Sequence, residues 1–156
     1  MKLKKILVVC SLFLALFVVT GCSLKPKKAV NIDQFKSVAE KNSLAVIDAK
    51  SQMEQYDIIQ EAYIAESAQG WQVEFYILST NQDAKNMYDT NRKLFEDSKS
   101  GTVNEKYLTI KEYSMYDLES NGYYMHLSKV DNTLLYVKVD KKYEENAKKI
   151  IKDLRY

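Results

Sequence analysis

Trp71-Gln72-Val73-Glu74-Phe75-Tyr76-Ile77-Leu78-Ser79 is the stretch from which the fold is read. Trp71, Val73, Phe75 and Ile77 alternate with Gln72, Glu74 and Tyr76. That period of two shows one face of a strand to a core and the other outward. Just before it, Ser67-Ala68-Gln69-Gly70 separates it from Ile58 to Glu66, a run with β character, so the pair reads as a hairpin. Just after it, Asn81 or Thr80 is a helix N-cap, and Ala84, Met87, Tyr88, Asn91, Leu94 and Phe95 recur at helical spacing to about Asp97. Ser98-Lys99-Ser100-Gly101 ends that helix.

Further out, the pattern extends in both directions. Asn31 is a helix N-cap with Gln34 as its capping-box partner, and Ile32, Phe35, Val38 and Ala39 share a helical face that ends near Asn42-Ser43. Leu44 to Asp48 is short and apolar; Ala49 to Tyr56 is polar and reads as a loop or a frayed helical turn. On the other side, Tyr107 to Tyr113 is ambiguous between strand and loop, and Tyr113 to Leu118 is a strand. Asn121-Gly122 is a hairpin turn, Tyr123 to Val130 a strand, Asp131-Asn132 a turn and Thr133 to Val139 a strand. Asp140 caps a last helix with Tyr143, Ala147, Ile150, Ile151 and Leu154 on its apolar face. The expected fold is α+β: one domain, an antiparallel sheet with amphipathic helices on one face, in the order α-β-β-α-β-β-β-α.

The N-terminus is of another kind. Met1-Lys2-Leu3-Lys4-Lys5 is basic, and an apolar run from Ile6 to Val19 follows, broken only by Cys10 and Ser11. At about 1.5 Å per helical residue the run spans roughly 21 Å, short of a bilayer core of roughly 30 Å. It reads as a signal-peptide core rather than a span. Val19-Thr20-Gly21-Cys22 at its end resembles the bacterial lipobox. The resemblance implies cleavage before Cys22 and a diacylglycerol on its sulfur, hence anchorage to the membrane at the extracytoplasmic face. The expected organisation is a signal peptide over residues 1–21, a lipidated tether over 22–30 and a globular domain over 31–156. Two acyl chains anchor stably where one does not. The tether carries the only Pro, Pro26, with Lys25, Lys27 and Lys28, each worth about 1 kcal/mol beside an anionic leaflet.

Composition narrows the function. Of 23 basic residues, Lys2, Lys4 and Lys5 leave with the signal, so the mature chain has 20 against 21 acidic ones. No basic excess points to nucleic acid. The two cysteines are Cys10, in the signal, and Cys22, so the mature domain has no disulfide and no thiolate metal site. The single histidine is His126; no G-x-S-x-G, H-x-x-x-H, acidic calcium loop or glycine-rich phosphate loop stands in the chain. Catalytic residues, metal and cofactors are therefore none. Glu61 and Glu74, as cross-strand neighbours, and Glu119 beside the Asn121-Gly122 turn are the carboxylates an acid–base enzyme would use.

The strand patterns leave one sheet face open. With Val73, Phe75, Leu135, Val137, Met125 and Leu127 turned to the helices, Tyr63, Tyr76, Tyr124, His126 and Tyr136 fall on the outer face as a binding surface. Tyrosine offers rigid area with a polar tip, which suits contacts, though it is also a good strand former.

Taken whole, Val19 to Cys22, the Val73-Glu74-Phe75-Tyr76 strand, Val130 to Tyr136 and the Ile150-Ile151-Lys152-Asp153-Leu154 helix give the chain a layout similar to small surface lipoproteins of Gram-positive bacteria. That resemblance lends no catalytic residues. The expected role is a non-enzymatic binding module of the cell envelope, whose partner is an envelope protein or ligand on the open face. The rivals are an enzyme using carboxylates or tyrosines and an accessory subunit of a membrane complex.

Overall fold

The computed structural model describes residues 27–156. The signal segment and Cys22 lie outside the described residues. The first helix, α1 (Ile32–Lys41), starts as its capping box requires: the Gln34 amide donates to Asn31 Oδ1 at 2.9 Å and the Asn31 amide to Gln34 Oε1 at 3.0 Å. Three strands follow, β1 (Ala45–Asp48), β2 (Ile59–Glu66) and β3 (Gln72–Leu78), with a 3-10 turn at Lys50–Met53 between the first two. Helix α2 (Asn81–Asp97) is capped by Thr80, whose hydroxyl accepts from the Asp83 amide at 3.0 Å. Four strands then run as a meander, β4 (Asn104–Ile110), β5 (Tyr113–Ser120), β6 (Tyr123–Val130) and β7 (Thr133–Asp140). A 3-10 turn at Lys141–Tyr143 leads into α3 (Glu144–Leu154).

The seven strands make one antiparallel sheet in the order β1-β2-β3-β7-β6-β5-β4, so the fold class is α+β. Two edge strands, β1 and β4, add to the expected order. Both are hard to read from sequence because β1 is four residues long and β4 is exposed almost throughout, so neither shows a buried alternation. Asp140 makes no side-chain cap; the 3-10 turn stands in its place.

The helices do not share one face. On the face of Val73, Phe75, Leu135 and Val137 lie α1 and α3, with Phe35 stacked on Phe75 at 5.0 Å and Ala147, Ile150 and Leu154 beside them. The other face carries α2, whose Ala84, Tyr88 and Phe95 pack on Tyr76, Leu78, Leu127, Leu134 and Tyr136. The topology demands this crossing. β3 lies inside the sheet and β4 at its far edge, four strands away, so the connection must pass over a face, and α2 is that connection. Leu94, expected on the buried stripe of α2, is 59% exposed.

Candidate functional site

The side on which each β6 residue lies follows from the turns. A two-residue turn at Asp131-Asn132 pairs Val130 with Thr133, so an even-numbered β6 residue sits opposite an odd-numbered β7 residue. His126 therefore faces Val137 and Ser128 faces Leu135, while Leu127 faces Tyr136 and Met125 faces Lys138. This reverses the expected assignment of Met125, Leu127, Tyr124 and His126. Alternation could not correct it, because β6 is buried on both sides from Tyr124 to Val130 and has no polar face.

The five expected surface residues consequently do not form one open face. Tyr63, Tyr124 and His126 lie on the α1–α3 side; Tyr76 and Tyr136 lie under α2. Tyr63 is buried, with Lys36 above its ring at 4.7 Å and its hydroxyl 3.4 Å from Glu61 Oε2. Tyr76 is buried and donates to Glu74 Oε2 at 2.5 Å; burial, the Glu74 charge and that hydrogen bond all push its phenol well above the usual range. Tyr136 is half-buried and its ring lies 5.2 Å from that of Phe95. Nor are Glu61 and Glu74 cross-strand neighbours: Glu61 faces Ile77 and Glu74 faces Ile64, on opposite sides of β2–β3. Glu119 is held by Lys141.

A concave feature among the described residues lies on the α1–α3 side, over β5 and β6. It is a cleft of about 1490 Å³. Its walls are the segment entering α1, including Lys28 and Val30, and the last turns of α3, including Ile151 and Lys152. Its floor is Met115, Asp117, Tyr124 and His126. The two-residue Asn121-Gly122 turn, with φ of 51° and 78°, sets this floor by pairing Ser120 with Tyr123 and hence Asp117 with His126.

The floor is a connected polar network. His126 Nδ1 lies 2.7 Å from Asp117 Oδ1 and Nε2 lies 2.8 Å from Ser128 Oγ. The Tyr124 hydroxyl donates to the same Asp117 oxygen at 2.8 Å. Burial works against ionisation of Asp117, but the hydrogen bond and charge of His126 and the Tyr124 hydroxyl outweigh it, and the carboxyl is held below its ordinary value. For Tyr124, burial comes first and Asp117 second, and both drive the phenol far upward. The network stays satisfied in either charge state of the ring. A neutral imidazole donates to Asp117 through Nδ1 and accepts from Ser128; an imidazolium donates to both.

Asp117, His126 and Ser128 stand in the order of a hydrolase triad. Ser128, however, is fully buried. A nucleophile must reach its electrophile, and this one lies beneath the floor rather than on it. Sequence reading picked His126 and Tyr124 and missed Asp117 and Ser128. The signal for Asp117 was the Asn121-Gly122 turn, which fixes the residue opposite His126 by counting alone. Among the described residues no cluster of acidic or histidine side chains is arranged to hold a metal.

No family model matches the chain, and no curated protein matches it. Among solved structures it is similar to a GTP binding regulator from Thermotoga maritima, at 19% identity and a TM-score of 0.48, over 83% of this chain and 90% of that one.

Proposed function

We propose that the chain is an extracytoplasmic lipoprotein, anchored through diacylglyceryl-Cys22, whose domain is a non-enzymatic binding module with the cleft over β5 and β6 as its site. The observation that carries the reading is the position of the cleft: its wall begins at Lys27, five residues after Cys22. No helix of the described residues is long and apolar enough to cross a membrane. The burial of Ser128 speaks against acyl transfer by the Asp117, His126 and Ser128 line. The composition and layout suit the envelope of a Gram-positive host.

Two measurements test this. Cys22→Ser abolishes incorporation of labelled fatty acid; labelling that persists in the variant removes the lipoprotein reading. A photo-crosslinking side chain at Ser37, in the cleft lining, gives an adduct of discrete mass in membranes, while one at Thr90, on the far side of α2, does not. Equal labelling at both positions removes the cleft as the binding site.

A second reading, an accessory subunit of a membrane complex, is favoured by β4. That edge strand is exposed almost along its length, with Tyr107 at 70% exposure, and carries neither a proline nor a bulge to block pairing. Such an edge accepts a partner's strand by main-chain hydrogen bonds. The same crosslinker at Tyr107 reports it.

A further inference from the structure

Lys28, Lys152 and Arg155 are exposed on the cleft, and Lys27 is half-buried among them. None of the four enters an ion pair among the described residues. The other charges on the cleft are mostly committed. Lys148 is held by Glu144, Asp117 by His126 and Tyr124, and Asp153 by Asn42 at 3.2 Å and Lys149 at 3.8 Å; Asp33 alone of the acids has no basic partner there. Lys28, Lys152 and Arg155 therefore leave the rim a surplus of free cationic heads beside the packed Lys27, which a concave surface concentrates on an anion.

The chain also enters the domain at this spot. Lys27 lies over the Tyr113 ring at 4.3 Å, and Val30 is buried in the same apolar cluster as Tyr113 and Tyr156. Burial lowers the Lys27 ammonium below its ordinary value, a sign of how closely it packs there. The entry point is thus tied to the cleft wall and not to the far side of the sheet. Five residues of chain extend at most about 18 Å. A lipid on Cys22 keeps Lys27, the first residue of the rim, within that distance of the headgroups, while α2 lies behind the sheet.

We infer that the rim of the cleft is a docking surface for an anionic bilayer, seated by Lys27, Lys28, Lys152 and Arg155 on the phosphates of its lipids. The inference rests on the lipoprotein reading above and names the partner of the same cleft. Lipidation holds the domain at the membrane; the rim decides which side it turns toward it. Attraction of this kind grows with the anionic lipid fraction and is screened by salt.

The test uses the mature, lipidated protein in vesicles of phosphatidylcholine alone or with phosphatidylglycerol. A fluorophore is placed on Ser37→Cys, at the cleft, or on Thr90→Cys, on α2, with a headgroup spin-labelled lipid as quencher. In anionic vesicles the Ser37→Cys probe is quenched at least about twofold more than the Thr90→Cys probe, and the excess disappears near 1 M salt, where the screening length falls to about 3 Å. It disappears also in Lys28→Glu/Lys152→Glu/Arg155→Glu. Those side chains are exposed, so the variant melts with the parent; were it to melt early, the salt arm decides. Equal quenching of the two probes overturns the inference, as does quenching indifferent to lipid charge and salt, which would leave the cleft for a soluble ligand. Acyl mass on Cys22 and vesicle flotation are read from the same samples. Absence of the acyl group overturns the lipoprotein reading and this inference with it. Acylated, floating protein without the quenching difference overturns the docking alone.

Discussion

Removing the Asp117 carboxylate strips one acceptor from two groups at once, the Tyr124 hydroxyl and the His126 ring, both nearly inaccessible to water. A buried donor left without a partner costs about 1–3 kcal/mol. Asp117→Ala is therefore expected to lower stability by at least that much in denaturant titration. A loss under about 0.5 kcal/mol, the scale of an ordinary surface change, would show that water replaces the carboxylate. The pH dependence has a definite sign. The folded carboxyl titrates below its unfolded value, near 4, so its stabilisation is complete above that pH and is lost as pH falls through the folded value. Asp117→Asn should flatten the acid limb of the stability profile and leave the neutral region's slope unchanged. An acid limb as steep as the parent's would place the titration elsewhere. At this scale the sequence was half legible: a lone histidine in a strand is visible, but its partners become visible only once turns are counted into register.

At the scale of elements, α2 makes the strongest contrast between stripe and surface. Tyr76 and Tyr136 belong to its footprint on the sheet, although alternation alone marks them as outward. Removing a buried ring costs about 3–5 kcal/mol. Tyr76→Ala should destabilise by that order and the double variant with Tyr136→Ala should fail to fold cooperatively. Leu94→Glu, next to the core residue Phe95 in sequence but 59% exposed, should stay within about 0.5 kcal/mol of the parent. Reversed results in urea would mean that α2 is rotated on the sheet. The edge strand β4 gives a second expectation. It pairs with β5 on one side only and buries little. Its outward amides should exchange fastest of all strand amides, while those of β3, β6 and β7 approach the global limit. Slow exchange across β4 in the membrane-bound protein, and not in detergent, would point to a strand added by a partner.

At the scale of the whole molecule, the described residues are packed on both faces of the sheet. Two apolar layers, one on each side of the sheet, are closed by helices from opposite ends of the chain and from its middle. Neither cysteine falls within the described residues, and no metal cluster is found among them. The protein is expected to melt in one cooperative transition whose midpoint ignores chelator and dithiothreitol. A midpoint lowered by chelator would reveal a bound metal that contributes to folding.

By itself the sequence determined the α+β class, the three helices with the caps of the first two, the central hairpin, two of the three turns of the last meander and a domain free of thiols. These are local properties. Capping boxes, two-residue turns and periodicities of 2 and 3.6 act over a few neighbours; Asn31 and Asn121-Gly122 carry them plainly, and the cap of the second helix was narrowed to Thr80 or Asn81. Tertiary structure alone decided that β3 pairs with β7, with Val73 opposite Val137 across half the chain, and that α2 crosses to the face opposite α1 and α3. From that crossing come the burial of Tyr76 and Tyr136 and the cleft over Asp117 and His126. The reason is physical. A strand in a three-layer fold is buried on both sides, so its pattern no longer distinguishes core from surface. Which face is then covered depends on where long connections land, and no local pattern records that.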